Sequence, residues 1–177
     1  MKKNSLFITV ISSFVLLLSI PLKGYTQSKF DRATISDSSF KAFLPKWETY
    51  LDSISSGNPT LMKENASHSE DITIMGAFGG YEKGWKQVGA RYDWAAAQMK
   101  GSQPKKGENE YINIVVSGDL AYTVAIGSTV QGFTNSEKDP TLRVTEIFRK
   151  ENGSWKLLHR HADPLIEKKA PTAPLKK

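Results

Sequence analysis

RVTEIFRKENGSWKLLHRHADPL, Arg143 to Leu165, decides the fold. Two β-rich runs flank Asn152-Gly153, a dipeptide suited to a two-residue hairpin turn with positive φ. Before the turn, Val144 and Phe148 alternate with Arg143 and Arg149, so even positions face the interior and Glu146 shares that parity. After it, Trp155 and Leu157 alternate with Lys156 and Arg160, so odd positions face inward, His159 and His161 among them. A two-residue turn then pairs Lys150 with Trp155, Phe148 with Leu157 and Glu146 with His159. A four-residue turn would slide the register by two, keeping the faces and separating that last pair.

Upstream of this hairpin, Tyr111–Val116 and Leu120–Val130 read as two further strands, rich in β-branched and aromatic residues. Ser117-Gly118-Asp119 suits a three-residue turn, whose parity sets Ile112, Ile114 and Val116 beside Leu120, Tyr122 and Val124. Gln131–Pro140 is a polar hairpin loop. The first half is helical instead. Phe40, Phe43, Trp47, Tyr50, Leu51 and Ile54 recur at steps of three and four, with Asp37 or Ser38 to cap the helix and Gly57-Asn58 to end it. Pro45 is awkward inside that pattern and places an alternative start near itself. Pro59 suits the first turn of a shorter helix running to about Asn65. Ile72 and Ile74 mark a short strand ending at Gly76. A third helix runs from about Gly84 to Met99, with Trp85, Val88, Tyr92, Ala95, Ala96 and Met99 as its apolar stripe. Arg91 and Trp94 lie on the adjoining face. Helices first and a meander afterwards make an α+β domain, with the helices on one face of a mainly antiparallel sheet.

The 177 residues suffice for one such domain. Lys2-Lys3 followed by the apolar run Leu6–Leu22 has the layout of a secretory signal peptide. An uncleaved anchor is the competing reading, since the run approaches the ~17–25 residues that span a bilayer. The expected organisation is a signal peptide over residues 1–27, a linker over 28–36, the domain over 37–166 and a disordered tail over 167–177. The product is exported, periplasmic or secreted, with no membrane attachment after cleavage.

Cysteine is absent, which removes disulfides, thiolate metal ligands and lipoprotein anchoring. The net charge of +6 is peripheral: Lys2, Lys3 and Lys23 belong to the leader and Lys168, Lys169, Lys176 and Lys177 to the tail. The near-neutral body gives no reason to expect nucleic acid as a partner. No phosphate loop, nucleophile elbow or dinucleotide fingerprint is present, and no cofactor is expected.

An inward Glu146 beside inward His159 and His161 requires mutual pairing, a wet cavity, or both. Three readings remain open: a satisfied polar pair beneath a pocket, a pocket lining, and an acid–base pair of Glu146 with His159. The two imidazoles also suggest a metal site, with Glu146 as a third ligand. No fourth ligand is visible, and Asp163 is too far along the strand, so no metal is expected. Arg91 and Trp94 are placed for cation–π contact. Asp71 reads as a turn former and His68 as exposed.

Arg143–Leu165 resembles the ending of SnoaL-like domains in the nuclear transport factor 2-like superfamily. FGGYEKGWKQVGARYDWAAAQ, Phe78 to Gln98, is similar to the glycine-containing turn and long helix of such proteins. SGDLAY, Ser117 to Tyr122, resembles the turn into their middle strand. The resemblance implies a cone, its curved sheet wrapped by helices around a pocket, and dimerisation through the sheet. The tryptophan followed by a His-x-His pair is similar, too, to the association domain of calcium/calmodulin-dependent kinases. The pocket arginines of that module align with Glu146 and Ala162, so its anion binding does not carry over.

The superfamily holds isomerases, cyclases, dehydratases and binding modules, and the fold does not choose among them. The resulting expectation is an exported, homodimeric domain that binds a small molecule through Arg91, Trp94, Tyr122, Glu146, His159 and His161. The alternatives are an isomerase- or cyclase-like enzyme using Glu146 and His159, and an assembly module.

Overall fold

A computed structural model describes residues 30–77, 79–100, 109–128 and 141–166. The expected signal peptide, tail and polar hairpin loop lie outside the described residues.

Helix α1 (Ser38–Ser55) starts where Asp37 accepts a hydrogen bond from the Phe40 backbone N–H at 2.7 Å. It continues through Pro45, which lies on the exposed side of the helix. Helix α2 (Thr60–Asn65) follows Pro59. Strand β1 (Thr73–Met75) and the two-residue β2 (Glu82–Lys83) precede helix α3 (Trp85–Met99). Strands β3 (Asn109–Ser117), β4 (Leu120–Ser128), β5 (Thr141–Glu151) and β6 (Ser154–Pro164) form the meander. The sheet order is β2-β1-β6-β5-β4-β3, antiparallel except where β1 lies parallel to β6. The helices cover one face, called inner below, and the chain is an α+β domain.

The segment read as a linker is folded in its described part. Phe30 donates its backbone N–H to Tyr111 O at 3.0 Å, and Arg32 pairs with Glu48 on α1. Ile35 is buried. These contacts strap residues 30–36 across the end of α1 and β3.

Aromatic packing joins α1 to the last hairpin. The Phe148 ring meets Phe40, Phe43 and Trp47 edge-on, each centroid 5.4 Å away, and Trp155 meets Phe40 at 5.1 Å. These contacts explain the i, i+3, i+4 stripe of α1: it is the helical half of a core whose sheet half alternates along β5 and β6.

Three local irregularities reverse parities expected from the sequence, the first a bulge at Ile112 that turns Tyr111 inward. Ser117 pairs with Leu120, so the β3–β4 turn contains only Gly118 and Asp119, with positive φ at Gly118. Ile114 and Val116 therefore sit opposite Thr123 and Ala121, and Tyr122 lies on the outer face with Val115. At the other end, Asn152 (φ 49°) and Gly153 (φ 81°) form the expected two-residue turn, and Phe148 pairs with Leu157 as expected. Ile147, however, pairs with His159. Leu158 is thus an extra residue, a β-bulge that exchanges the two faces of β6 beyond it.

Replacing Phe148 by alanine removes the ring common to three aromatic contacts. The expected loss is about 3–5 kcal/mol in urea unfolding. A loss below about 1 kcal/mol would mean that this cluster does not anchor α1.

Candidate functional site

The bulge decides what the buried acid meets. Glu146 is 2 % exposed and faces inward as expected, but its register partner is Arg160. Arg160 donates from Nε to Glu146 Oε1 at 3.2 Å. Trp47 Nε1, from the buried stripe of α1, donates to Oε2 at 3.0 Å, and the Thr123 hydroxyl reaches the same oxygen at 3.5 Å. Desolvation raises the Glu146 pKa, opposed by the Arg160 charge and by the Trp47 and Thr123 donors.

Two phenols complete the surroundings. Tyr92 from α3 and Tyr111 from β3 are buried, and neither hydroxyl has a hydrogen-bond partner among the described residues. The Tyr111 hydroxyl also lies near Glu48, without hydrogen-bonding geometry. Burial raises both phenol pKa values; the Arg160 charge opposes this at Tyr92, and the negative charge of Glu146 adds to it at both. Unsatisfied buried hydroxyls are uncommon and cost about 1–3 kcal/mol each.

The packing around this centre is divided. Leu142, Val144 and Ala162 form an apolar cluster separate from the main core. Along β5 and β6, Glu146 and Arg160 lie between the two. The inner face of β4 carries Ala121, Thr123 and Ala125, all small, opposite the large rings supplied by α1. Ala121 and Ala125 pack within the main core together with those rings.

The other expected site residues do not converge here. His159, His161 and Tyr122 lie on the outer face, so the Glu146–His159 pair is corrected to Glu146–Arg160, and the six-residue pocket reading is corrected with it. His159 Nδ1 is 2.7 Å from the Thr73 hydroxyl. Its pKa is lowered by desolvation and then by His161. Arg91 bonds to Glu82 and lies 4.9 Å from the Trp94 ring, the cation–π pair that the helical spacing suggested, away from Glu146's contacts. Asp71 does more than form a turn. Bonds from Arg149 and Ser69 hold its pKa down to about 2, and Arg149 also binds Glu151. His68 is exposed and stacks on Trp85 with centroids 3.8 Å apart.

On the outer face, an open depression of about 390 Å³ is lined by Val124, Ile126, Arg143, Thr145, His161 and Asp163. Its ionic groups are already matched, since Arg143 pairs with Asp163. Among the described residues no three His, Cys, Asp or Glu side chains could jointly hold a metal ion. No helix there is long and apolar enough to cross a membrane.

Arg160, Trp47, Thr123, Tyr92 and Tyr111 are the site residues that sequence reasoning missed. Trp47 and Tyr92 were read as core stripe, which they also are. Leu157-Leu158 was the available signal for Arg160: two adjacent apolar residues interrupt the alternation where the bulge falls.

A helix-covered, six-stranded and mostly antiparallel sheet with a polar centre on its inner face defines the class, an α+β domain of nuclear transport factor 2-like architecture. The chain belongs to the SnoaL-like domain family, whose model matches residues 47–167. No protein with a curated description matches it. Among solved structures it is similar to a nuclear transport factor 2-like superfamily protein from Salmonella enterica, at 20 % identity, TM-score 0.56 and coverage of 76 % of this chain and 96 % of that one. A candidate ketosteroid isomerase from Shewanella frigidimarina matches at 21 % identity and TM-score 0.54, over 72 % and 96 % of the chains. A candidate dehydratase from Streptomyces avermitilis matches at 16 % identity and TM-score 0.57, over 73 % and 96 %. At these identities the likeness shows the fold.

Arg160→Met tests the inner pair. Because burial lifts the Glu146 pKa above 4.5, the folded chain keeps a proton that the unfolded chain has released, and this group's contribution to stability falls as pH rises across that window. Removing Arg160 leaves the carboxylate unpaired. The expected loss at pH 8 is about 3 kcal/mol, the low end for a broken buried pair, because the Arg160 side chain keeps 21 % exposure. At pH 5 the loss should be smaller. Equal losses by urea unfolding at both pH values would mean that charge pairing is not the cause.

Proposed function

We propose that this chain is an exported domain that binds a small, uncharged, largely apolar molecule between its helices and the inner face of its sheet. The Glu146–Arg160 pair forms the polar centre of this reading. The observation that carries it is the pair of buried, unpartnered hydroxyls of Tyr92 and Tyr111 within electrostatic reach of Glu146. A bound molecule with hydrogen-bond acceptors would remove that unsatisfied cost. The compensated carboxylate and guanidinium favour a neutral guest over an ion. Export rests on the N-terminal sequence pattern.

One observation favours a second reading, an acid–base enzyme of the isomerase or dehydratase kind named among the similar structures. A carboxyl with a raised pKa, held by three donors, suits proton transfer. Glu146 would carry that role without His159.

Association of two copies is the remaining part of this proposal. It is assigned to the outer face of β3 and β4, where Val115 and Tyr122 are each 37 % exposed and Leu120 is 50 % exposed.

Thermal-shift screening with uncharged cyclic carbonyl compounds and phenols tests the binding site. A ligand at 100 times its Kd should stabilise wild type by about 2.7 kcal/mol. Tyr92→Phe and Tyr111→Phe should be at least as stable as wild type without ligand, since each removes an unsatisfied hydroxyl, and should bind at least about tenfold more weakly. Phe variants that bind every hit as wild type does would overturn the site. Glu146→Gln should retain binding while losing any turnover if the enzymatic reading holds.

For the dimer, light scattering should report two copies in wild type and one in Tyr122→Glu. A monomeric wild type would reject that part.

A further inference from the structure

The outer face of the β1–β6 pair brings together side chains that the sequence keeps far apart. Because β1 runs parallel to β6, Thr73 is in register with His159 and Met75 with His161. The bulge at Leu158 turns both histidines to this face. Residues two apart on a strand are separated by roughly 6.6 Å, and neighbouring strands by about 4.8 Å. The two imidazoles and the Met75 thioether therefore form a triangle small enough to close on one ion. Met75 is 39 % exposed, and its unbranched chain can swing its sulfur toward the space beside His161.

We propose that Met75, His159 and His161 form a surface site for a soft monovalent cation, Cu(I) or Ag(I). Thr73 orients it from behind. Its hydroxyl, 2.7 Å from His159 Nδ1, fixes that ring and leaves Nε2 as the nitrogen for the ion. One short strand thus supplies both the thioether and the group that positions an imidazole, through Thr73-x-Met75 lying beside His159-x-His161.

The donor set selects the metal. One thioether and two imidazoles suit a three-coordinate soft ion. Zinc would require a fourth ligand, and the nearby Asp163 carboxylate is held by Arg143. Calcium and magnesium require a shell of oxygen ligands, whereas this set offers two nitrogens and a sulfur.

The sequence offered Glu146 as a third ligand, with Asp163 too far along the strand and no fourth ligand visible. Glu146 lies on the opposite face. The third ligand comes from a strand 84 residues earlier, and the soft ion needs no fourth.

Competition with bicinchoninate under anaerobic, reducing conditions tests the site with Cu(I), and direct titration tests it with Ag(I). Wild-type full chain should take up one equivalent. His159→Asn and His161→Asn should each lose more than about 100-fold in affinity, Met75→Leu at least about 10-fold, and Thr73→Val about 10-fold, the lower range for a group that orients a ligand. His68→Asn and Glu146→Gln should bind as wild type does, which separates this site from the inner one. On Ag(I) addition the Met75 methyl resonance should move while those of buried Met62 and Met99 stay. Failure of wild type to compete overturns the proposal. So does unchanged affinity in Met75→Leu, which would leave only a histidine surface contact, and so does an unmoved Met75 methyl.

Discussion

A carboxylate shut away from water needs a counter-charge, and in this chain one extra residue in β6 decides which side chain supplies it. Without Leu158 as a bulge, strict alternation would bring His159 to Glu146 and turn Arg160 to solvent. With it, the inner face receives a guanidinium, which keeps its charge at every physiological pH. An imidazole there would have coupled the pair to pH near neutrality. The bulge therefore fixes the electrostatic character of the interior as well as the path of the strand.

The aromatic cluster places that pair. Trp47 packs edge-on against Phe148 and donates its indole N–H to Glu146, two residues earlier on the same strand. One side chain thus ties α1 to the sheet and satisfies part of the buried acid. Packing and polar satisfaction are coupled here, so the position of α1 and the geometry of the Glu146 carboxylate cannot vary independently.

Element identity was legible in the sequence because it rests on periodicity over many residues. The α1 stripe from Phe40 to Ile54, the α3 stripe from Val88 to Met99 and the alternation around Asn152-Gly153 each average over several turns or pleats. Face identity was less legible because a single residue can reverse it. The two-residue turn at Gly118-Asp119 moved Tyr122 outward, and the bulge at Leu158 moved both histidines. Strand β2 was missed because two residues, Glu82 and Lys83, carry no period to detect. Inward Glu146 was read correctly, since only the regular part of β5 separates it from the turn. The partners Trp47, Tyr92 and Tyr111 come from three other elements, and only the closed fold brings them near one another.

The same parity change gives the two faces of one hairpin different chemistry. Inside, a paired acid and base stand between two apolar clusters, beside phenols whose hydroxyls lack partners. Outside, the displaced imidazoles lie beside a strand that packing alone would not require to carry Thr73 and Met75. Moving one residue back into register would place His159 against Glu146, turn His161 inward beside Val144 and expose Arg160, removing both arrangements together. The bulge is therefore better understood as part of the sites than as a defect in the sheet, because no rotamer change could restore either face once the alternation ran unbroken.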